Sequence, residues 1–169
     1  MSSILNLDEL LGQALDTVEA APDFCDPDTG EYAMTLLHIK AVERKAKDQA
    51  KAQAEGKPTE WFGLRFTYTI DDTISIENGK QPVKPGSLYS EEFRYTEAQL
   101  PYFKSRVAEL VLASGGTTED ADALTIGDCV AGMANIPFHV SVKTTHEKAT
   151  DGSGREYARV RFSNLRAAE

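Results

Sequence analysis

The chain has 169 residues, of which 41% are hydrophobic, 27% charged and 8% aromatic. That balance excludes a fibre and a fully disordered chain, and the length suits one domain that buries about 70% of its unfolded surface without a disulfide or metal staple. With 18 basic and 27 acidic side chains the net charge is -9, which argues against a polybasic, histone-like binder while leaving room for a local basic groove.

The acidity is concentrated at the start. Residues 1–31 hold eight acids and no Lys or Arg, so the remainder is close to neutral, with 18 positive and 19 negative charges. Asn6 is placed to cap a helix, Glu9 completes a capping box and Leu5 and Leu10 take the staple positions. Ile4, Leu7, Leu11, Ala14, Leu15 and Val18 recur at helical spacing, and Pro22 stops the run. Residues 1–28 are therefore expected to be an acidic amphipathic arm, which either packs on the body or docks a partner. Residues 29–169 are expected to be one domain.

Asp26-Pro27-Asp28-Thr29-Gly30 is a turn by composition. Its alternating acids lack the downstream glutamate of a calcium loop. Glu31 to Val42 reads as a strand that could equally open a helix, because 41–55 consists largely of helix formers. No large apolar residue follows Val42 there, so an exposed helix or loop is expected. This 40–57 stretch carries six basic residues, among them Lys40, Arg44, Lys45 and Lys47, against three acids.

Glu60 to Ile70 is the clearest strand. Phe62, Leu64, Phe66, Tyr68 and Ile70 alternate onto one face, and Trp61, Gly63, Arg65, Thr67 and Thr69 onto the other. Residues 71–87 are rich in turn formers and fit a small hairpin or an irregular excursion. Ser87 to Tyr95 is a short strand. A helix follows, opened by Pro101, striped by Tyr102, Phe103, Val107, Leu110 and Val111, and ended by Ser114-Gly115-Gly116. An acidic loop then leads to a long strand over Cys129–Thr145, with Pro137 implying an edge or a bulge. Asp151-Gly152-Ser153-Gly154 signals a hairpin turn into a last strand, Arg155–Asn164.

No chemical motif stands out. Cys25 and Cys129 form no C-x-x-C, and His38, His139 and His146 have no ligand spacing with them. Reduced thiols in a cytoplasmic setting are expected. The first basic residue is Lys40, so no secretory leader is readable, and no apolar run is long enough for a bilayer. Gly115-Gly116 follows a helix instead of opening one, which argues against a phosphate loop. Asp71-Asp72 and Glu91-Glu92 are adjacent acids that a strand sends to opposite faces. No enzyme and no metal or organic cofactor is expected.

The order strand, strand, strand, helix, strand, strand gives a mainly β fold: an OB-like five-stranded barrel with a helix between the third and fourth strands, plus the N-terminal arm. Its outward positions carry cations and rings, the groups that hold a single strand of nucleic acid by its phosphates and bases. The candidate binding residues are Lys40, Arg44, Lys45 and Lys47 at the first hairpin, Trp61 and Arg65 on the second strand, Lys143 on the fourth, and Tyr157, Arg159 and Arg161 on the fifth. Each has a plainer role open to it. Trp61 could be packing, Arg159 and Arg161 could pair with Glu91 or Glu92, and Tyr157 could hydrogen-bond across a strand pair.

The chain resembles the phage-encoded single-stranded-DNA-binding proteins of OB fold. The resemblance rests on Thr29-Gly30-Glu31-Tyr32 at the first strand, the Lys/Ala stretch, Trp61-Phe62-Gly63-Leu64-Arg65-Phe66, Leu124-Thr125-Ile126-Gly127, and Gly154-Arg155-Glu156-Tyr157-Ala158-Arg159-Val160. It implies a role in DNA replication or recombination, coating exposed single-stranded DNA without sequence preference in the host cytoplasm. Homo-oligomers and a replication-protein partner on the acidic arm are compatible with it. Several such proteins end in an acidic tail, whereas this chain is acidic at the opposite end. The competing expectation is a structural or assembly protein, such as a virion component or adaptor, without nucleic-acid binding.

Overall fold

Five antiparallel strands form one sheet in the order β3-β2-β1-β4-β5. The computed structural model describes residues 20–150 and 152–168, together with Gly12, Ala14 and Asp16. The expected arm helix, with its cap at Asn6 and Glu9, lies outside the described residues, as does Asp151 of the expected last turn. The strands are β1 (Gly30–Lys45), β2 (Glu60–Ile76), β3 (Ser87–Arg94), β4 (Ile136–Lys148) and β5 (Glu156–Ala167). Four helices join them: α1 (Gln49–Ala54) between β1 and β2, then α2 (Leu100–Ala113), α3 (Thr118–Asp122) and α4 (Ile126–Gly132) between β3 and β4.

β1 holds the sheet together. All of it except Leu37 pairs with β2, and its first half, Gly30–Leu36, also pairs with β4. The register slips between Leu36 and His38, so Leu37 is an extra residue. Tyr32, Met34 and Leu36 face the core before that bulge, and Ile39 faces it afterwards. One inserted residue reverses the alternation, and it thereby turns His38, Lys40, Val42 and Arg44 to the outer face.

The core lies between the concave face of the sheet and α2. β2 contributes Leu64, Phe66, Tyr68 and Ile70, β4 contributes Phe138, Val140 and Val142, and α2 contributes Phe103, Val107 and Leu110 at helical spacing. Pro101 opens α2, and Gly115 just beyond its end takes φ +93°, a left-handed backbone that suits glycine.

The sheet is open. No ladder joins β3 to β5, so the strand order is that of a rolled sheet whose edges meet through side chains instead of hydrogen bonds. Tyr89 on β3 and Phe162 on β5 bring their ring centres within 5.4 Å. Arg106 of α2 bridges both edges. Its Nε donates to Glu91 Oε1 of β3 at 2.6 Å, and its guanidinium lies 5.0 Å from the Phe162 ring. The outer edge of β3 is partly covered by the segment before β1, where Cys25 N donates to Leu88 O and Leu88 N donates to Asp23 O, both at 2.8 Å.

Several expectations are corrected. The long strand placed over Cys129–Thr145 begins only at Ile136, and Cys129 belongs to α4. Thr125 and Asp128 form a reciprocal capping box that starts this helix, and Thr117 and Asp120 form another that turns the expected acidic loop into α3. The single internal helix therefore becomes a cluster of three. β1 runs on to Lys45, and the residues after it form only the short helix α1, capped by Asp48. Both cysteines are free thiols. Among the described residues no helix is long and apolar enough to cross a membrane.

Candidate nucleic-acid interface

The pleat sends one set of side chains from all five strands to the convex face of the sheet. Most of the ten candidate residues stand there, in two groups at opposite ends of β1. Lys45 has the opposite parity at the strand end and pairs loosely with Glu60 at 3.8 Å. Lys47 lies in the bend before α1.

The first group spans β1, β2 and β3. Lys40 stands directly opposite Arg65, and Arg44 directly opposite Trp61. Two like charges facing each other across a strand pair destabilise a sheet, and an acidic partner would relieve them. Glu92 of β3 is directly opposite Arg65 on its other side. Its carboxylate nevertheless goes elsewhere. It crosses β2 and meets Arg44 as a fork, with Arg44 Nη2 donating to Oε1 at 2.6 Å and Nε at 3.2 Å. Neither Lys40 nor Arg65 forms an ion pair among the described residues, and Arg65 Nε is buried without a hydrogen-bond partner.

Gly63 makes that crossing possible. A Cβ there would lie 2.6 Å from Glu92 Oε2 and 2.7 Å from its Cδ. The glycine leaves a shallow seat in the middle strand, flanked on the same face by Trp61 and Arg65. Trp61 is half-buried, and the guanidinium of Arg94 sits 4.2 Å from its ring centre. His38 completes the group from the next outward position of β1. Burial, with Lys40 and Arg65 close by, lowers its pKa below the ordinary histidine value, so it is neutral near pH 7.

The second group lies where β4 and β5 run past the start of β1. Lys143 stands directly opposite Arg161, again two like charges without an ion pair among the described residues. Arg159 and Tyr157 share one acid: Arg159 Nη2 is 3.5 Å from Glu147, and the Tyr157 hydroxyl donates to Glu147 Oε2 at 2.9 Å. The partners offered for the arginines from sequence, Glu91 and Glu92, belong to Arg106 and Arg44 instead. Arg94 and His38 were not among the candidates, although their positions beside Phe93 and Ile39 in alternating strands place them outward.

An apolar groove of about 550 Å³ runs between α2 and the α3–α4 segment, lined by Leu100, Phe103, Val107, Leu124 and Ile126. The Asp71 carboxylate accepts the Thr35 hydroxyl at 2.6 Å. Among the described residues no group of three or more His, Cys, Asp or Glu is gathered to hold a metal ion. No protein-family model, curated protein or solved structure matches the chain.

Proposed function

We propose that this protein binds single-stranded DNA without sequence preference, along the outer face of β1, β2 and β3, in the manner of an OB-fold strand-coating protein of replication or recombination. The observation that carries the reading is the Lys40–Arg65 pair. A chain with a net charge of -9 has acids to spare, yet it leaves these two cations face to face, on the same outward row of β2 as an indole four residues away. Such a pair costs stability in the free protein and gains a partner when a phosphodiester lies across it. Trp61, four residues along the same face of β2, supplies a ring on which any base can stack.

Three further features support the reading. The order β3-β2-β1-β4-β5 is that of a Greek-key barrel slit between β3 and β5, and OB barrels are commonly partly open. Among the helices between β3 and β4, α2 packs its Phe103, Val107 and Leu110 into the core on the concave side, opposite the outward positions of β1, β2 and β3. The Lys143–Arg161 pair adds a second cationic group on the outer face, at the other end of β1.

Titration of the full chain with oligo-dT tests this, read by the emission of Trp61, the only tryptophan. Contact with about four to six phosphates gives a slope of log K against log salt of about -3 to -4. An emission that does not change, together with no mobility shift at low salt, rejects DNA binding. The second reading, an assembly component, draws on the apolar groove beside α2. A chain that is monomeric by light scattering and still binds oligo-dT counts against it.

A further inference from the structure

Glu92 does something that its own register does not ask of it. It faces Arg65 directly, yet it leaves that guanidinium's Nε buried and unpartnered and reaches over Gly63 to Arg44. Its carboxylate therefore rests in the middle of the cationic group, with Arg44 on β1, Trp61 and Arg65 along β2, and Arg94 beside it on β3. We propose that the seat over Gly63 is a phosphodiester site, held in the free protein by the Glu92 carboxylate, and that a DNA phosphate displaces this carboxylate and takes over Arg44. The inference rests on the DNA-binding reading above and adds to it an internal competitor and the residue that makes room for it.

The chemistry of exchange is favourable. Carboxylate and phosphodiester are both monoanions that a guanidinium grips through two parallel N–H bonds. The pair to be broken is solvent-accessible, with 41% of the Arg44 side chain and 26% of the Glu92 side chain exposed. Exposed pairs of this kind contribute little to stability, so releasing one costs little. The incoming group also gains what the carboxylate forgoes, because phosphate oxygens over Gly63 lie between Arg44 and the unpartnered Arg65. Any side chain at position 63 would occupy the seat, since even a Cβ meets the Glu92 carboxyl at 2.6 Å.

The test is a double-mutant cycle on the full chain, read by anisotropy of a fluorescent oligo-dT at one fixed salt concentration. Glu92→Gln is expected to tighten binding about tenfold, with Glu92→Ala moving the same way. Glu60→Gln removes an acid near the same end of β2 that makes no comparable fork, and it measures the general effect of charge, about twofold to threefold. In an Arg44→Ala background the gain from Glu92→Gln is expected to shrink to that level, because the exchange has no site. Equal gains from Glu92→Gln and Glu60→Gln, or a gain that survives the loss of Arg44, would overturn the proposal and leave Glu92 as a staple. If wild type binds and Glu92→Gln binds no better, only the competitor falls. If neither binds, the DNA-binding reading falls and takes the inference with it. Unchanged circular dichroism of each variant confirms that the comparison is between folded proteins.

Discussion

Glu91 and Glu92 are neighbours on β3, chemically identical, and each is gripped by one arginine at 2.6 Å. The pleat makes them different. Glu91 points into the rolled sheet, where its side chain and that of Arg106 are only 15% and 12% exposed. There it also accepts the hydroxyl of the fully buried Tyr68 at 2.6 Å. Glu92 points outward to a partner that is 41% exposed. The inner pair ties α2 to an edge strand and helps to hold an open sheet in its curl. The outer pair ties nothing that the β1–β2–β3 ladders do not already hold. Chain position says little about an ion pair, and its face decides whether it serves architecture or exchange.

The inner pair should break with the largest effect. Arg106→Met leaves the Glu91 carboxylate desolvated with Tyr68 as its remaining partner, and stability should fall by about 3–5 kcal/mol. Urea unfolding followed by circular dichroism measures this, and a loss below about 1 kcal/mol would show that the rings of Tyr89 and Phe162 alone keep the edges together. Oligo-dT affinity of the folded fraction should hardly change, because no part of this cluster reaches the convex face.

The same interior sets the alkaline limit. Burial raises the pKa of Tyr68 and Tyr89, and it pushes Tyr32 up to about 12. These phenols stay protonated in the folded chain while the unfolded chain ionises near pH 10. The folded pKa values are the higher ones, so their contribution is complete below pH 10 and is lost as pH rises from 10 towards 12 and beyond. Thermal melts across that range should show a falling midpoint, with a shallower fall in Tyr32→Phe. A midpoint that stays flat would mean that the phenols are not held neutral by burial.

On the outer face the effects should appear in binding instead. Trp61→Ala should cost about 1–3 kcal/mol in oligo-dT affinity. Lys40→Ala with Arg65→Ala removes two cations, and the salt slope should become shallower by about 1.4. Removing a like-charged pair should leave the fold as stable or slightly more so, the opposite sign to Arg106→Met. A double variant that loses stability and keeps its salt slope would move the track to the Lys143–Arg161 end.

Much of this division was legible in the residues. The alternation Leu64, Phe66, Tyr68, Ile70 marked the buried face of β2, although Phe62 at its start is exposed and the strand runs on to Ile76, and Phe103, Val107 and Leu110 marked the buried stripe of α2, from which Tyr102 drops out. The failures have local causes. Cys129 and Val130, read as strand residues, obey the Thr125–Asp128 capping box, a four-residue signal that outweighs the short apolar run after it. The reach of β1 to Lys45 was hidden because its last six residues, Lys40 to Lys45, are mostly charged and bury little. The Leu37 bulge left no trace in composition, although it decides that Lys40 and Arg44 face outward. The Glu92 crossing could not be read either. It depends on which residue of β2 lies under the side chain, and that is a matter of register, which no local pattern specifies.

The smallest predicted effect carries the comparison to its end. Glu92→Gln breaks a bidentate pair at 2.6 Å, as short as the one that Glu91 makes. A view of ion pairs based on distance alone would expect the two variants Glu91→Gln and Glu92→Gln to lose similar stability. Solvent screening predicts otherwise. On the exposed face water replaces the lost partner on both sides, and the change should stay below about 1 kcal/mol. On the buried face Arg106 keeps its charge with little water and only the more exposed Glu109, at 3.0 Å, to compensate it, and the loss should be larger. Measuring both by urea unfolding separates the two accounts. Equal losses would mean that Glu92 is as architectural as Glu91, and a carboxylate that the fold depends on is a poor candidate for one that a phosphate displaces.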